Sequence, residues 1–418
     1  MANRSGAIET DVLVVGAGPG GSATAYHLAR HGLDVTVLER CSLPREKVCG
    51  DGLTPRSVRA LQRMGVDTSD PGFERIVGLR VYSRRTVLEL PWPKLRGLPD
   101  YGLVRTRADL DDLLARRARW AGARILERTE AVAPLVDDGW VRGVLARPAE
   151  EREAEPFEVR ARMVVAADGA PSKLGVQLGV VRDERRPLGI AARRYYRIER
   201  RPGPWFESWL DLREGDTILP GYGWLFPLPD GTVNVGAGLL STFRDFRGLS
   251  AQRLFSAFAR VLPAGWGISE ETALGPVRSG PLPMGGSRRP AAVPGMLLVG
   301  DAAGLVNPFN GEGIAYALES GEVAAELIHE ALTRGRPAIA QRYPAVLRER
   351  YGSYFWYGTW FARAIGRPSI MRASTRYLLP NRPVMRFAMR VLANLTDGRE
   401  GDVQDRLIAA LERLAPTG

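Results

Sequence analysis

Three glycines near the start of the chain have the spacing of a phosphate-binding turn. Gly16, Gly18 and Gly21 follow a short apolar run and precede a stretch with helical character. Glycines at this spacing allow a tight turn, close approach of a pyrophosphate and close helix–strand packing, while free N–H groups at the helix start attract the phosphates. Glu39 ends the next apolar run, where its carboxylate would bind a ribose hydroxyl. The pattern predicts a nucleotide-binding β-α-β unit over residues 10–40.

Two later apolar strands also end in a carboxylate beside small residues. Asp168 and Gly169 follow one of these strands, and Gly300 and Asp301 end the other. Such a carboxylate can accept a hydrogen bond from a ribose or ribityl hydroxyl, and the small residues let phosphate or flavin approach the backbone. Each aspartate alone is more often a strand-end cap. The ordered set of three motifs predicts a bound dinucleotide cofactor.

Composition places the chain among ordinary globular proteins. It has 418 residues, of which 45% are hydrophobic and 25% charged, and this length allows two domains or more. The net charge of +11 comes almost entirely from arginines spread along the chain, so it does not predict nucleic-acid binding. No metal site is predicted.

Cysteine content and hydropathy bear on the cellular compartment. Cys41 and Cys49 are the two cysteines, too few for a disulfide framework, and whether they pair is left open. We find no signal peptide and no apolar run of membrane-spanning length. We therefore expect a cytoplasmic protein, with attachment to the inner face of the cell membrane left open.

Periodicity predicts an α/β fold in three parts. Helical patterns cover Pro55–Met64, Asp109–Ala121 and about Gly313–Leu332, and alternating patterns typical of an antiparallel sheet cover residues 185–275. The predicted parts are a discontinuous nucleotide-binding domain (1–72, 106–180 and 276–337), a substrate-binding sheet domain (73–105 and 181–275) and a C-terminal helical region (338–418) broken by prolines.

The three motifs together resemble the FAD-binding superfamily of the p-hydroxybenzoate hydroxylase type. Within it, three segments are similar to the geranylgeranyl reductase family: Lys47–Arg56 resembles its K-x-C-G-x-G-L-x-P loop, Gly221–Pro227 its Y-x-W-x-F-P motif, and Asn307–Ile314 its N-P-x-x-G-E-G-I segment. Within this family, the chain resembles the branch of the actinobacterial menaquinone reductases.

The resemblance implies a Rossmann-type FAD-binding domain with an inserted antiparallel-sheet substrate domain. It also implies that FAD binds without a covalent bond. The implied FAD contacts are Gly16, Gly18, Gly21, Glu39, Arg40, Arg45, Cys49, Gly50, Arg107, Asp168, Gly169, Gly300, Asp301, Gly311, Gly313 and Ile314. In the family, the loop that holds Cys49 lies near the reactive face of the flavin, and a nearby cation would lower the pKa of this thiol.

An aromatic stripe is the second candidate site. Tyr222, Trp224 and Phe226 alternate along a predicted strand, so their rings face one side. Spacing alone favours a core position, whereas the resemblance implies a wall of the substrate cavity, together with Pro308. Cys49 and Tyr222 are the candidates for positions beside the reaction. The strand also resembles the W-x-W-x-I-P motif of flavin halogenases, except that Tyr222 replaces the first tryptophan.

The C-terminal region is basic and rich in aromatic residues. Between Tyr351 and Thr396 there is no Asp or Glu. Its arginines are Arg363, Arg367, Arg372, Arg376, Arg382, Arg386 and Arg390, with Trp356, Trp360, Phe361, Phe387 and Met389 interleaved. Two interpretations remain open: amphipathic helices that lie on a membrane surface, or a helical lid packed on the protein.

The implied activity is reduction of carbon–carbon double bonds in a prenyl chain, such as a menaquinone tail or a geranylgeranyl group. Reduced FAD would deliver a hydride, and a side chain or held water would deliver the proton. The implied electron donor is NAD(P)H or a ferredoxin-type protein. The alternatives are an FAD-dependent monooxygenase or halogenase, a flavin-bound tailoring enzyme of secondary metabolism, and a non-catalytic FAD-bound protein.

Overall fold

The computed structural model describes residues 7–83, 86–198, 202–210, 212–214, 217–218, 221–243, 246–397 and 401–414. Its strands, in chain order, are β1 (Ile8–Val15), β2 (Val35–Leu38), β3 (Gly52–Leu53), β4 (Glu74–Ile76), β5 (Gly78–Ser83), β6 (Thr86–Pro91), β7 (Gly102–Val104), β8 (Arg124–Leu126), β9 (Thr129–Asp137), β10 (Trp140–Pro148), β11 (Phe157–Ala166), β12 (Val181–Arg182), β13 (Leu188–Arg197), β14 (Trp205–Trp209), β15 (Arg213–Glu214), β16 (Thr217–Ile218), β17 (Gly221–Pro227), β18 (Thr232–Leu240), β19 (Ala273–Pro283), β20 (Arg288–Arg289), β21 (Ala292–Val293) and β22 (Met296–Leu298). Its α-helices are α1 (Pro19–Arg30), α2 (Pro55–Arg63), α3 (Arg107–Trp120), α4 (Lys173–Gln177), α5 (Ala251–Val261), α6 (Ile314–Thr333), α7 (Tyr343–Ile365), α8 (Pro368–Ala373), α9 (Arg382–Leu392) and α10 (Val403–Leu414).

The first large sheet contains the predicted β-α-β unit. Its order is β21-β22-β11-β1-β2-β8, and the β9–β10 hairpin pairs beside β11. The run from β22 to β8 is parallel throughout, which places the carboxyl ends of these strands at one edge. Val12 to Val15 and all of β2 are buried, as expected for parallel strands covered on both faces. In open α/β sheets this edge is where ligands bind.

The second large sheet has seven strands in the order β19-β13-β18-β17-β14-β5-β6. All neighbours are antiparallel except β14 and β5. Helix α5 covers one face with Leu254, Phe255 and Phe258. The sheet joins strands from residues 73–105 with strands from 181–275, although β19 runs past residue 275. Strands β4 and β7 belong instead to a separate three-stranded sheet, in which β7 pairs with both β3 and β4. The division into domains itself stays a prediction.

Helix starts follow local capping chemistry. The side chain of Thr54 caps α2 by accepting a hydrogen bond from Ser57 N, and Thr106 caps α3 in the same way through Asp109 N. Because Thr106 is the cap, α3 begins at Arg107 rather than at Asp109. This places Arg107 in the first helical turn, beside the loop that precedes it.

The C-terminal region is helical, as predicted, and its breaks fall at prolines. Pro368 is the first residue of α8, and Pro383 lies in the first turn of α9, where proline is tolerated. Met385 and Met389 of α9 are buried against residues of the seven-stranded sheet. Within the described ranges, no helix is both long and apolar enough to span a membrane.

Candidate active site

One cavity of about 640 Å³ lies where the two large sheets meet α9. Residues from all three predicted motifs line it, which brings together positions up to 298 residues apart in the chain. The predicted cofactor residues on its wall are Gly16, Gly18, Glu39, Arg40, Arg45, Cys49, Gly50, Arg107, Asp168, Gly169, Gly300, Asp301, Gly311, Gly313 and Ile314.

The glycine turn at the start of α1 has the geometry that its sequence requires. Gly16 has φ +103°, and a methyl group there would lie 2.5 Å from the carbonyl oxygen of Ala167. A methyl group on Gly21 would lie 1.8 Å from the Gly16 carbonyl oxygen, so Gly21 lets helix and turn touch and does not line the cavity. No described side chain caps α1 at Gly18. Its first N–H groups can therefore bind an anion.

Glu39 is buried and holds the loop that follows it. Its Oε2 accepts a hydrogen bond from Ala17 N at 2.9 Å, and its Oε1 accepts one from Cys41 N at 3.0 Å. Arg45 bridges Glu39 and Asp111, with N–O distances of 3.1 Å to each carboxylate. The carboxylate predicted to bind ribose thus also ties two motif segments to each other.

The two strand-end aspartates differ in their partners. Asp168 Oδ2 accepts a hydrogen bond from Leu174 N, but its Oδ1 is buried and has no partner among the described residues. Burial raises the pKa of Asp168. Asp301 lies against Gly313, where a methyl group would come within 3.3 Å of Asp301 Oδ1. A buried acceptor that lacks a donor, beside N–H groups and close backbone, fits the hydroxyls and phosphates of FAD.

Arg107 is buried and paired. Its Nε and Nη2 donate to the two carboxylate oxygens of Asp111 at 2.7 and 2.9 Å. It also lies beside Cys49, on whose thiol its charge acts. Burial outweighs this charge and raises the pKa of Cys49, so the expectation of a lowered pKa is wrong in sign. The thiol stays protonated at neutral pH, and both Cys41 and Cys49 are free thiols.

Sequence reasoning missed a buried polar cluster behind this loop. Asp51, with φ +65°, accepts hydrogen bonds from Tyr195 Oη at 2.6 Å, Asn234 Nδ2 at 2.7 Å and Arg107 N at 3.1 Å. Burial raises the pKa of Asp51 to about 6, although these donors oppose the shift. Asn234 also donates to the Cys49 carbonyl at 2.9 Å. The one signal in the sequence was that Asp51 stands between two glycines, whose missing side chains let this loop lie close to the neighbouring aromatic rings.

The aromatic stripe lies on the cavity wall. Tyr222 and Trp224 have ring centroids 5.8 Å apart, and Trp224 and Phe226 have centroids 6.3 Å apart. Tyr222 Oη donates to the Asn310 carbonyl at 2.9 Å, and Trp224 Nε1 donates to Asn234 Oδ1 at 3.0 Å. Burial raises the pKa of Tyr222 to about 12. The rings therefore face the cavity while their polar atoms bond to the protein.

Pro308 takes a different place from the one expected. It is not among the cavity-lining residues. Instead its ring packs against α7, where a methyl group on Gly358 would lie 2.3 Å from the Pro308 Cγ. The prediction that Pro308 contacts substrate stays a prediction, although its ring packs on α7 rather than on the cavity wall. The physical reason is that its neighbour Asn307 is anchored in the core by a hydrogen bond to Tyr354 Oη.

The C-terminal helices supply part of the cavity and part of the surface. Met385, Met389, Leu392 and Ala393 line the cavity from the side of α9. Arg390, predicted as one of a basic row, is instead buried and paired with Asp402 and Asp405. The other six arginines of that row are exposed.

Comparisons with known proteins agree with this geometry. A family model described as an FAD binding domain matches residues 9–193. A menaquinone reductase of Mycobacterium tuberculosis is 38% identical, with the match covering 94% of this chain and 93% of that protein. A digeranylgeranylglycerophospholipid reductase of Thermoplasma acidophilum is 30% identical, covering 82% of this chain and 84% of that protein.

Solved structures share the fold. A geranylgeranyl bacteriochlorophyll reductase-like protein from Thermoplasma acidophilum matches with a TM-score of 0.78 and 24% identity, covering 97% of this chain and 100% of that one. A myxobacterial chondrochloren halogenase matches with a TM-score of 0.70 and 21% identity, covering 97% and 96%. The chain is an FAD-dependent oxidoreductase. It belongs to the family of flavoprotein reductases that includes the menaquinone reductases and the digeranylgeranylglycerophospholipid reductases.

Proposed function

We propose that this protein saturates carbon–carbon double bonds in a prenyl lipid, with a menaquinone tail as the favoured substrate. The observation that carries the proposal is a cavity that joins the FAD-binding motifs to an apolar wall, which includes the three aromatic rings of β17 and two methionines of α9. An apolar wall suits a hydrocarbon chain. The 38% identity to a mycobacterial menaquinone reductase over nearly the whole chain supports the choice of a quinone tail.

The chain's own residues shape the reaction space. FAD, when bound and reduced, supplies a hydride to one alkene carbon. An isolated alkene has no carbonyl to absorb charge, so its reduction needs a dry site in which developing positive charge meets aromatic faces. Tyr222, Trp224 and Phe226 offer those faces. Cys49 and Tyr222 remain the candidates for direct contact with the reacting carbons, and the raised pKa of each keeps it protonated.

We infer that the outer face of α7 to α9 docks on an anionic membrane. Trp360, Tyr377 and Leu378 expose 53%, 67% and 49% of their surface. Six exposed arginines accompany them: Arg363, Arg367, Arg372, Arg376, Arg382 and Arg386. Basic side chains next to exposed aromatic rings suit the interface of a membrane with anionic headgroups. Because α9 also lines the cavity, docking by this face would bring the cavity wall close to a prenyl tail that is dissolved in the membrane.

An anaerobic single turnover tests the reaction. The protein with bound FAD is reduced with dithionite, menaquinone or a geranylgeranyl lipid is added, and flavin reoxidation is followed together with product mass. We expect reoxidation with a gain of two hydrogens per double bond. No reoxidation with any prenyl lipid, together with oxygen-dependent addition of oxygen or halide to another substrate, would instead identify a monooxygenase or halogenase. Replacing dithionite by NADPH, NADH or reduced ferredoxin identifies the donor.

Vesicle sedimentation tests the membrane face. We expect the protein to sediment with vesicles of phosphatidylglycerol and phosphatidylcholine, and to stay in solution with phosphatidylcholine alone. Arg372→Glu/Arg376→Glu should abolish sedimentation. The matched control is Arg59→Glu/Arg152→Glu, which makes the same charge change at two exposed arginines outside this face. Equal loss in both double variants would contradict a docking role for α7 to α9.

A further inference from the structure

Glu312 is a buried carboxyl group at the cavity that has no role so far. It precedes α6, in a segment that the resemblance singles out, yet sequence reasoning assigned it nothing. Its Oε1 accepts hydrogen bonds from Thr54 Oγ1 at 2.5 Å and Ser57 Oγ at 2.8 Å. Its Oε2 is buried and has no partner among the described residues. A charged oxygen left in this state costs far more than a neutral carbonyl oxygen.

The partners of the other acids and donors of the cavity differ from those of Glu312. Asp168 also has a buried oxygen without a partner among the described residues, but its other oxygen accepts from the backbone N–H of Leu174, which cannot pass on a proton as a hydroxyl can. Both oxygens of Asp51 already accept hydrogen bonds, one of them from two donors, and this stabilises its charged form.

The Tyr222 hydroxyl donates a hydrogen bond to the backbone carbonyl of Asn310. Burial keeps the Cys49 thiol protonated, but its neighbour Arg107 is permanently charged and cannot replace a proton that the thiol gives up. Glu312 is the one of these groups that combines an unpartnered oxygen with hydrogen bonds from two hydroxyl groups.

The charges around Glu312 come from three helices. Arg56 of α2 favours its ionised form, and Glu319 of α6 opposes it. The side chain of Arg56 is itself held by Glu319 through two hydrogen bonds of 2.6 and 2.7 Å. The phenols of Tyr316 on α6 and Tyr354 on α7 also face this group. Burial is the largest influence and raises the pKa of Glu312 to about 7.

We propose that Glu312 stores the proton for the reduction and passes it through the Thr54 hydroxyl to the substrate. Thr54 lines the cavity, whereas Ser57 is fully buried and does not. When the carboxyl is neutral, its O–H donates to Thr54 Oγ1, and the Thr54 hydrogen is free to turn into the cavity. Thr54 is thus the immediate proton donor to the substrate, and Glu312 is the residue that holds the proton beforehand. This inference rests on the proposed function.

The step balances in atoms and electrons. One alkene carbon receives a hydride from reduced flavin, which supplies both electrons and is oxidised. The other carbon forms a C–H bond with the Thr54 hydroxyl hydrogen, while Thr54 takes the proton of Glu312. The carbon–carbon π bond breaks, and Glu312 is left as a carboxylate that accepts from Thr54 and Ser57. Solvent protons restore the neutral form between turnovers.

Infrared difference spectroscopy tests the store without any turnover. Spectra of the FAD-bound protein between pH 5 and 9 are compared with those of Glu312→Gln, which keeps the shape and the acceptor for both hydroxyls. We expect a protonated carboxyl band that disappears with a midpoint near pH 7 and is absent from the variant. Ser57→Ala removes one donor from the carboxylate, so the midpoint should move to higher pH. A band missing from the wild-type spectrum at pH 5 would overturn the proposal.

Single-turnover rates test the transfer. Glu312→Gln should slow lipid reduction by about 10²–10⁴-fold and lose the fall in rate as pH rises through 7. Thr54→Val should slow it by a similar factor, and Thr54→Ser should restore most of the lost rate. Full activity in Glu312→Gln would overturn the inference while leaving the proposed reductase intact. If the wild-type protein reduces no prenyl lipid, the proposed function fails, and the infrared titration still decides whether Glu312 holds a proton.

Discussion

Replacing Asn234 by alanine should loosen the loop that joins the flavin motifs to the aromatic wall. Asn234 is fully buried and makes three hydrogen bonds: it accepts from Trp224 Nε1 and donates to the Cys49 carbonyl and to Asp51 Oδ2. It is therefore the residue through which β18 holds both the indole and the loop. Asn234→Ala breaks all three bonds at once.

The magnitude follows from the three partners. A neutral bond contributes about 1 kcal/mol, a bond to a carboxylate about 1.5–3 kcal/mol, and a buried donor left unpaired costs about 1–3 kcal/mol. Since these contributions are not additive, we expect Asn234→Ala to lower the free energy of unfolding by about 3–5 kcal/mol. Trp224→Phe removes the indole donor and part of a buried ring but leaves the other two bonds of Asn234, and it should lower the free energy of unfolding by about 1–3 kcal/mol. The pKa of Asp51, raised by burial to about 6, adds a pH dependence.

The sign of that dependence follows from the ionisation of Asp51. Above pH 6 its carboxylate is charged and the bond from Asn234 is strong, whereas below pH 6 the neutral acid gains less from it. The loss in Asn234→Ala should therefore be larger at pH 8 than at pH 5. Guanidinium denaturation of both variants at the two pH values, with FAD affinity from flavin fluorescence, checks this. If Asn234→Ala lowers the free energy of unfolding no more than Trp224→Phe does, or by an amount independent of pH, then Asn234 does not hold the indole and the loop together as argued.

Three further changes test the cavity's framework. Gly21→Ala should lower the free energy of unfolding by about 1–3 kcal/mol and weaken FAD binding, because the added methyl group would meet a backbone oxygen. The control is Gly265→Ala, whose methyl group would meet no described atom within 4 Å and should change neither stability nor FAD affinity. In a Cys41→Ser background, alkylation of Cys49 by iodoacetamide should be slow at pH 7 and accelerate only above pH 9, because burial raises the pKa of this thiol. Fast alkylation at pH 7 would instead show that Cys49 is a thiolate. Arg107→Met should lower the free energy of unfolding by about 3 kcal/mol in urea titrations, since the buried carboxylate of Asp111 loses two hydrogen bonds. An unchanged midpoint would show that this ion pair does not stabilise the protein.

Local signals were enough to find the flavin motifs. The turn at Gly16 and Gly18 and the strand-end carboxylates Asp168 and Asp301 are short segments whose residue types follow from backbone geometry and ligand chemistry. The structure accordingly brings them to one cavity wall. Local signals failed where a residue's partner is distant in the chain. The Asn234–Asp51 bond joins positions 183 residues apart, and no periodicity reports such a pair.

Charge was misjudged for the same reason. Arg390 looked like one of a row of surface arginines, but its partners Asp402 and Asp405 lie beyond the acid-free segment and bury it. The expected shift in the pKa of Cys49 had the wrong sign because a sequence reveals neighbouring charges more readily than burial. The pairing of Arg390 and the pKa of Cys49 both depend on how deeply the side chain is buried, and burial is determined by how complete helices and strands pack together.

The glycines of the seven-stranded sheet explain why its aromatic wall can exist. The register of β17 and β18 places Trp224 opposite Gly236, and a methyl group on Gly236 would lie 2.1 Å from the indole ring. The missing side chain leaves room for the indole ring over the neighbouring strand, where its Nε1 donates a hydrogen bond to Asn234 Oδ1. That bond, of 3.0 Å, satisfies the polar atom of a ring that lines the cavity. One glycine on β18 therefore determines the orientation of a ring on β17, and through Asn234 it also sets the position of the loop that carries Cys49.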